Sequence, residues 1–412
     1  MQILSRFSLL ALACASVSNV SVAADGSLSN PNISGVLNGH YQSGDRALGG
    51  TEEGFGLGET ELALSANIDN SFYGKITAVL ETHDGDTEVN LEEAFIQTLA
   101  LPGGFSVRGG RFLSDVGYLN NQHSHTDAFI DRPAVYRAFL GGHYFDDGVR
   151  VSYVAPTDVY WTLGAEAFKG EKMRAADEHG ERKFTDVGVY SAFSKWGGDL
   201  GLSSSWQLGF NYLRNENGQA YLEHHEEHDE HADSHDDHSG HSHSAAYTGK
   251  NTYIADAVFK WAPDGNYKYQ HLSVSGEFFR VDNIAALAEE DHEEHDHHED
   301  DHGEDHDEGH AEGKSKDYHQ GWYLSSVYQF SPSWSAGARY GEVDSQTIHG
   351  DHLHGQELKE TELSLAWHSS HFSSVRLQYT HQDGTNFDGF TDDSIFSLQY
   401  VMTLGAHSAH QF

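Results

Sequence analysis

The feature that most constrains this chain is a two-residue alternation of apolar and polar side chains that recurs from residue 32 onward. In 361–368, Leu363, Leu365 and Trp367 take one face, and Glu362, Ser364, Ala366 and His368 take the other. In 374–380, Val375, Leu377 and Tyr379 oppose Arg376, Gln378 and Thr380. In 397–404, Leu398, Tyr400, Met402 and Leu404 oppose Ser397, Gln399 and Thr403. Such a period belongs to β-strands, whose successive side chains point to opposite faces. Bounded by Gly, Pro, Asn and Asp, sixteen segments read as strands: 32–41, 57–68, 72–82, 89–101, 104–112, 146–155, 158–168, 186–195, 204–215, 251–262, 266–281, 318–330, 333–343, 358–368, 370–381 and 394–411. A soluble sandwich or propeller also alternates, but its strands run typically ~5–6 residues. These segments approach the ~9–11 residues that a tilted strand needs to cross a bilayer. Trp, Tyr and Phe gather near the strand ends, as in the aromatic girdles of a transmembrane antiparallel β-barrel. The expected fold is therefore all-β, a barrel of sixteen strands.

The connections alternate as well. Long segments (42–56, 83–88, 113–145, 169–185, 216–250, 282–317, 345–357 and 382–393) are separated by short turns such as Asp69-Asn70-Ser71, Ala155-Pro156-Thr157, Pro263-Asp264-Gly265 and Ser331-Pro332-Ser333. Short turns on one side and long loops on the other are the outer-membrane pattern, and an even strand count puts both termini on the short-turn, periplasmic side. The third long segment, 113–145, is a candidate constriction loop and carries Asp115, Asp127, Asp131, Arg132 and Arg137. Alternation alone points Lys75, Glu81, Arg108, Glu277, Arg339, Glu362 and Arg376 into the lumen.

Composition enters here. The chain carries 64 acidic against 24 basic residues, a formal charge of −40, which excludes binding to a nucleic-acid backbone by bulk electrostatics. High charge with 37% hydrophobic residues is also a mark of disorder, but 20 Tyr, 22 Phe and 43 Gly are not disorder composition. The N-terminus reads as a secretory signal: Arg6, then the apolar run Phe7 to Ala15, then Val22-Ala23-Ala24 with small residues before a cleavage site after Ala24. Residues 1–24 are thus expected to be a signal peptide and 25–412 the barrel, and the single cysteine, Cys14, leaves with the signal. No apolar run of the ~18 or more residues required of a membrane helix follows.

The stretch Gly109-Gly110-Arg111-Phe112, with the long segment from Asn120-Asn121-Gln122 to Asp131-Arg132-Pro133, resembles sixteen-stranded porins of the phosphate-selective type. The tail Gly405-Ala406-His407-Ser408-Ala409-His410-Gln411-Phe412 is similar to that of zinc-responsive outer-membrane barrels. The resemblance implies an outer-membrane location in a Gram-negative bacterium, with lipid around the barrel. It also implies recognition of the terminal Phe412 by the barrel-assembly machinery. The resemblance also allows a homotrimer. Phosphate pores are lined with Arg and Lys, and this acidic chain departs from that lining.

Two segments stand apart. Residues 223–244 hold His224, His225, His228, His231, His235, His238, His241 and His243 among 8 carboxylates; residues 289–312 hold His292, His295, His297, His298, His302, His306 and His310 among 14. Neither contains Lys or Arg, so 22 of the 40 excess negative charges sit in these two tracts. Neutral imidazole suits zinc, copper, nickel and iron, and carboxylates add charge neutralisation. Histidines two to four residues apart on a flexible chain let many alternative ligand sets close on one ion. A merely solvating loop does not need histidine, so composition reads as metal capture. Both tracts fall in long, external connections. Two smaller groups do so too: His349, His352 and His354, and His123 with His125.

The expected function is a passive channel for divalent transition metal, with zinc foremost and copper or nickel as alternatives, concentrated at the mouth by negative loops. The alternatives are a surface receptor or buffer anchored by the barrel, or a porin for another small solute. No cofactor is required. No Gly-x-Ser-x-Gly nucleophile turn or phosphate-binding loop is present, so no catalytic residues are assigned and no enzyme is expected.

Overall fold

The computed structural model describes residues 31–83, 86–175, 182–222, 244–287, 316–349, 352–386 and 393–405. Residues 1–24, expected to be a signal peptide, nearly all of both histidine tracts and the terminal Phe412 lie outside them. Sixteen staves form one closed antiparallel sheet. They are β1 (Asn32–Gln42), β2 (Gly54–Leu57 and Thr60–Asn67), β3 (Phe72–His83), β4 (Asp86–Thr98), β5 (Phe105–Leu113), β6 (Phe145–Val154), β7 (Tyr160–Phe168) and β8 (Val189–Leu200). The circuit continues with β9 (Ser204–Asn215), β10 (Asn251–Trp261), β11 (His271–Asp282), β12 (Tyr318–Ser331), β13 (Trp334–His349), β14 (His352–Ser370), β15 (Ser373–Thr385) and β16 (Asp393–Gly405). Each pairs with its neighbours in sequence, and β16 closes on β1 from Ser34↔Gly405 to Gln42↔Ser397. No helix among the described residues is long and apolar enough to span a membrane, so the crossing is made by strands.

The alternation sorts as the sequence predicts, but inverted relative to a soluble domain. Leu363, Leu365 and Trp367 of β14 are 51, 41 and 43% exposed, while the alternate residues Glu362, Ser364 and Ala366 are buried. A lipid-facing exterior and a polar lumen give this distribution. Paired aromatics mark the short-turn rim, including Trp334–Trp367, Trp161–Trp196 and Phe105–Tyr153. Of the residues expected in the lumen, Lys75, Arg108, Glu277, Arg339, Glu362 and Arg376 all make interior contacts. The side chain of Glu81 lies outside the described set.

Three expectations are corrected. The seventh connection is not a loop over 345–357: β13 and β14 run on as a ribbon to His349↔His352, because hydrogen-bond pairing continues past the polar residues. The second connection is likewise shorter than 83–88, with β3 and β4 paired up to His83↔Asp86. The turn before β11 is longer, since His271 and not residue 266 opens that strand. Beyond the barrel, Ala220–Leu222 and Ala285–Leu287 form a two-stranded parallel pair in the fifth and sixth connections.

Candidate functional site

The third connection, residues 114–144, turns into the barrel. Its base is closed by Ser114 N–H donating to Tyr144 O at 3.0 Å and by Asn120, which bonds both carbonyls. Within it, helix α1 (Ala134–Leu140) begins after Pro133 and ends at Gly141, whose φ of 62° is the left-handed conformation glycine adopts freely. All seven helix residues are buried. Tyr136 and Phe139 pack on Phe279 of β11, and Val135 and Phe139 approach Gly321 of β12, where a Cβ would sit 3.2 and 3.4 Å from them. An apolar helix inside a polar lumen needs such an apolar strip of wall, and Phe279, Val281, Tyr323, Val343 and Leu358 supply it.

Charge fastens the loop elsewhere. Arg46, from the first connection, donates to Asp131 at 3.1 Å and to Glu360 at 2.9 Å, and lies 3.0 Å from Glu362. Arg137 donates to Glu360 at 2.5 Å and to the carbonyls of Ala47 and Gly49. Arg339 holds Glu362 and donates to Asp131 O at 2.6 Å. Three guanidinium groups thus face three carboxylates in a buried net that ties the first and third connections to β13 and β14. Burial penalises the Asp131 carboxylate, but the Arg46 and Arg137 charges outweigh it and hold its pKa below the ordinary value. The remaining loop charges are also paired: Asp127 with Arg132 at 2.8 Å, and Asp115 with Lys195 of β8 at 2.6 Å. Asp115, Asp127, Asp131, Arg132 and Arg137, the charges of the candidate constriction loop, therefore hold that loop in place.

The loop tip meets the wall formed by β2, β3 and β4. His123 Nδ1 lies 3.2 Å from Glu61 Oε2 and 3.0 Å from Glu92 Oε2, and its Nε2 lies 3.1 Å from Glu93 Oε2 and 2.9 Å from Lys75 Nζ. His125 stacks on His123 and meets Glu61 at 2.6 Å, while His143 Nε2 sits 2.9 Å from Glu92 Oε1. Burial of the His123 ring opposes its charge, but Glu61 and Glu92 overcome that and hold its pKa well above the ordinary imidazole range. A cavity of about 320 Å³ adjoins this cluster, with Glu61, Glu93, His123 and His125 on one side and Arg108 and Arg150 on another. The two arginines lie over aromatic rings, Arg108 over Phe95 at 4.1 Å and Arg150 over Phe112 at 4.9 Å. Acidic and basic side chains on neighbouring staves thus line one cavity.

Sequence reasoning missed Glu92. Strict alternation puts Glu92 and Glu93 on opposite faces, yet only 2 and 4% of each is exposed and both point inward. The cause is a β-bulge: Thr77 pairs with Glu93 and Ala78 with Leu91, leaving Glu92 as the extra residue, re-aimed into the lumen. The signal was the broken alternation of Leu91-Glu92-Glu93-Ala94. Of the residues expected to bind metal at the mouth, only the His349, His352 and His354 group falls among the described ones. It stands at the tip of the β13–β14 ribbon. The fifteen tract histidines lie outside the described residues, but their entry points do not. Leu222 and Leu287, close before the two tracts in sequence, pair in parallel.

No protein-family model matches the sequence. An uncharacterised protein of Aquifex aeolicus (strain VF5) is 26% identical over 379 residues, 88% of this chain and 71% of that protein. Among solved structures, the outer membrane channel DcaP of Acinetobacter baumannii superposes with a TM-score of 0.54 at 12% identity, over 91% of this chain and 97% of DcaP. OprB of Pseudomonas putida gives 0.53 at 13% identity, over 91% and 93% of the two chains. The trimer form of OmpT of Vibrio cholerae gives 0.53 at 10% identity, over 91% and 99%. At these identities the likeness is one of fold: with its apolar exterior and polar lumen the chain is a transmembrane barrel built as the sixteen-stranded porins are.

Proposed function

We propose that this barrel is a passive outer-membrane channel for divalent transition metal ions, zinc foremost and copper or nickel in the same class, gathered at the mouth by the histidine tracts. The observation that carries the reading is the parallel pairing of Leu222 with Leu287, which starts both tracts from one place at the loop end of the barrel. Ligands from two segments of the chain are then available to the same ion, and the tracts' 22 negative charges raise the local cation concentration. The named channels and porins of the same fold support a conducting lumen. The trimer form of OmpT supports a homotrimer here. The reading takes residues 1–24 as the export signal and Phe412 as the mark read by the assembly machinery.

The test is zinc entry into liposomes that contain the full chain and enclose a zinc-sensitive dye. Deleting 223–244 and 289–312 together should slow entry at low external zinc and leave entry at saturating zinc unchanged. Dye that stays dark with the intact chain, while the tracts still bind zinc, would overturn the channel reading in favour of a surface metal receptor or buffer.

A further inference from the structure

The cluster at the tip of the third connection has a use that anchoring does not require. We propose that Glu61, Glu92 and His123 form a binding site for a divalent transition metal ion inside the barrel, separate from the external tracts. One ligand atom from each of the three lies within 4.8 Å of the others. In a tetrahedral zinc site with bonds of about 2.0–2.1 Å, neighbouring ligand atoms stand about 3.3 Å apart. The separations from His123 Nδ1 to Glu61 Oε2 and Glu92 Oε2 are 3.2 and 3.0 Å.

Three further observations favour a ligand set over an ordinary ion pair. Glu92 Oε2 and His123 Nδ1 are both buried, and neither makes a hydrogen bond of acceptable geometry although they face each other. The bulge at Thr77/Ala78 exists in a strand that alternates on either side of it, and its effect is to bring Glu92 in beside Glu93. Outer contacts orient the trio as metal ligands are usually oriented: Glu93 reaches His123 Nε2, and His143 reaches Glu92 Oε1. The four carboxylates of Glu59, Glu61, Glu92 and Glu93 outnumber Lys75 and His123, which pair with Glu61, Glu92 and Glu93 here. A divalent cation offsets that surplus. Three protein ligands leave coordination open to water, the arrangement of exchangeable sites and not of closed structural ones.

The site deepens the proposed metal route by adding a station within the pore. Its test reads binding and not flux, so either reading can fail without the other. The full-length barrel in detergent is titrated with Zn²⁺ against a competing chelator, with all fifteen tract histidines and His349, His352 and His354 replaced by Gln to silence the mouth. One zinc ion per chain is expected to remain bound. His123→Gln in that background should abolish it, and Glu92→Gln should weaken it at least as much as the 10–100-fold typical of losing an outer contact. His143→Gln, which removes the imidazole that meets Glu92 Oε1, should weaken binding within about that 10–100-fold range. Heat-modifiable gel mobility and far-ultraviolet circular dichroism check that each variant remains a folded barrel. Zinc binding that is absent from the mouth-silenced chain, or unchanged by both His123→Gln and Glu92→Gln in folded protein, overturns the proposal. His123 is then an imidazolium hub of the loop and nothing more.

Discussion

Glu360→Gln is the most searching perturbation of the loop anchor. The change keeps the shape of the side chain and removes one charge from a net in which Glu360 accepts from Arg46 at 2.9 Å and from Arg137 at 2.5 Å. Both guanidinium groups and the carboxylate are almost completely buried. Removing one partner of a buried ion pair costs about 3–5 kcal/mol, because the remaining charge stays desolvated without compensation. The barrel's ladder of backbone hydrogen bonds does not involve this side chain, so the loss falls on the docking of the loop. At about 1.4 kcal/mol per factor of ten, the docked-to-released ratio should drop between roughly 100- and 4,000-fold. Amide hydrogen exchange over 127–137 measures that ratio directly. Single-channel conductance in planar bilayers should become larger and noisier in parallel. Glu357→Gln, an exposed carboxylate paired with Lys359, is the control and should change neither. Unchanged exchange in Glu360→Gln would refute the reasoning, since it would mean that apolar packing of α1 alone holds the loop.

Three shorter predictions follow from the same structure. Leu363→Arg, on the lipid face of β14, should destabilise the barrel by about 2–4 kcal/mol in refolding titrations into lipid vesicles, as arginine does near the bilayer midplane. Gly110→Ala should lower the thermal unfolding midpoint, because Gly110 has a φ of +125° and an added Cβ would meet Ala94 O at 2.2 Å; strain of about 1–3 kcal/mol is expected for a non-glycine residue held in such a region. Asp131 gives a pH dependence: its pKa is depressed in the folded state, so its contribution is complete above the unfolded value of about 3.9 and is lost as pH falls through the lower, folded value. Loop protection against hydrogen exchange should therefore hold constant from neutrality to about pH 4 and fall only below it. Loss of protection already between pH 7 and 5 would contradict the assignment of Asp131 to this net.

Much of the architecture is written locally. Period-two alternation in segments such as 361–368 and 397–404 identified the strands, their count and which side chains face lipid, because a strand's two faces are set by its own backbone and need no partner. The long third connection and the lumen positions of Lys75, Arg108, Glu277, Arg339, Glu362 and Arg376 were legible for the same reason. The proposed affinity of the tracts for metal likewise rests on residue type and spacing. What the sequence could not hold is register and reach. The continuation of β13 and β14 to His349↔His352 depends on pairing between strands. The path of the third connection depends on an apolar strip assembled from β11, β12, β13 and β14. The joining of Asp131 to Arg46 and of Arg137 to Glu360 spans 85 and 223 residues of sequence. The Glu61, Glu92 and His123 cluster is the clearest case, because a one-residue bulge reverses a side chain that alternation assigns to lipid. Local pattern decides which way a strand faces, whereas only the closed sheet decides which residues from distant strands and an inward loop share the same few ångströms.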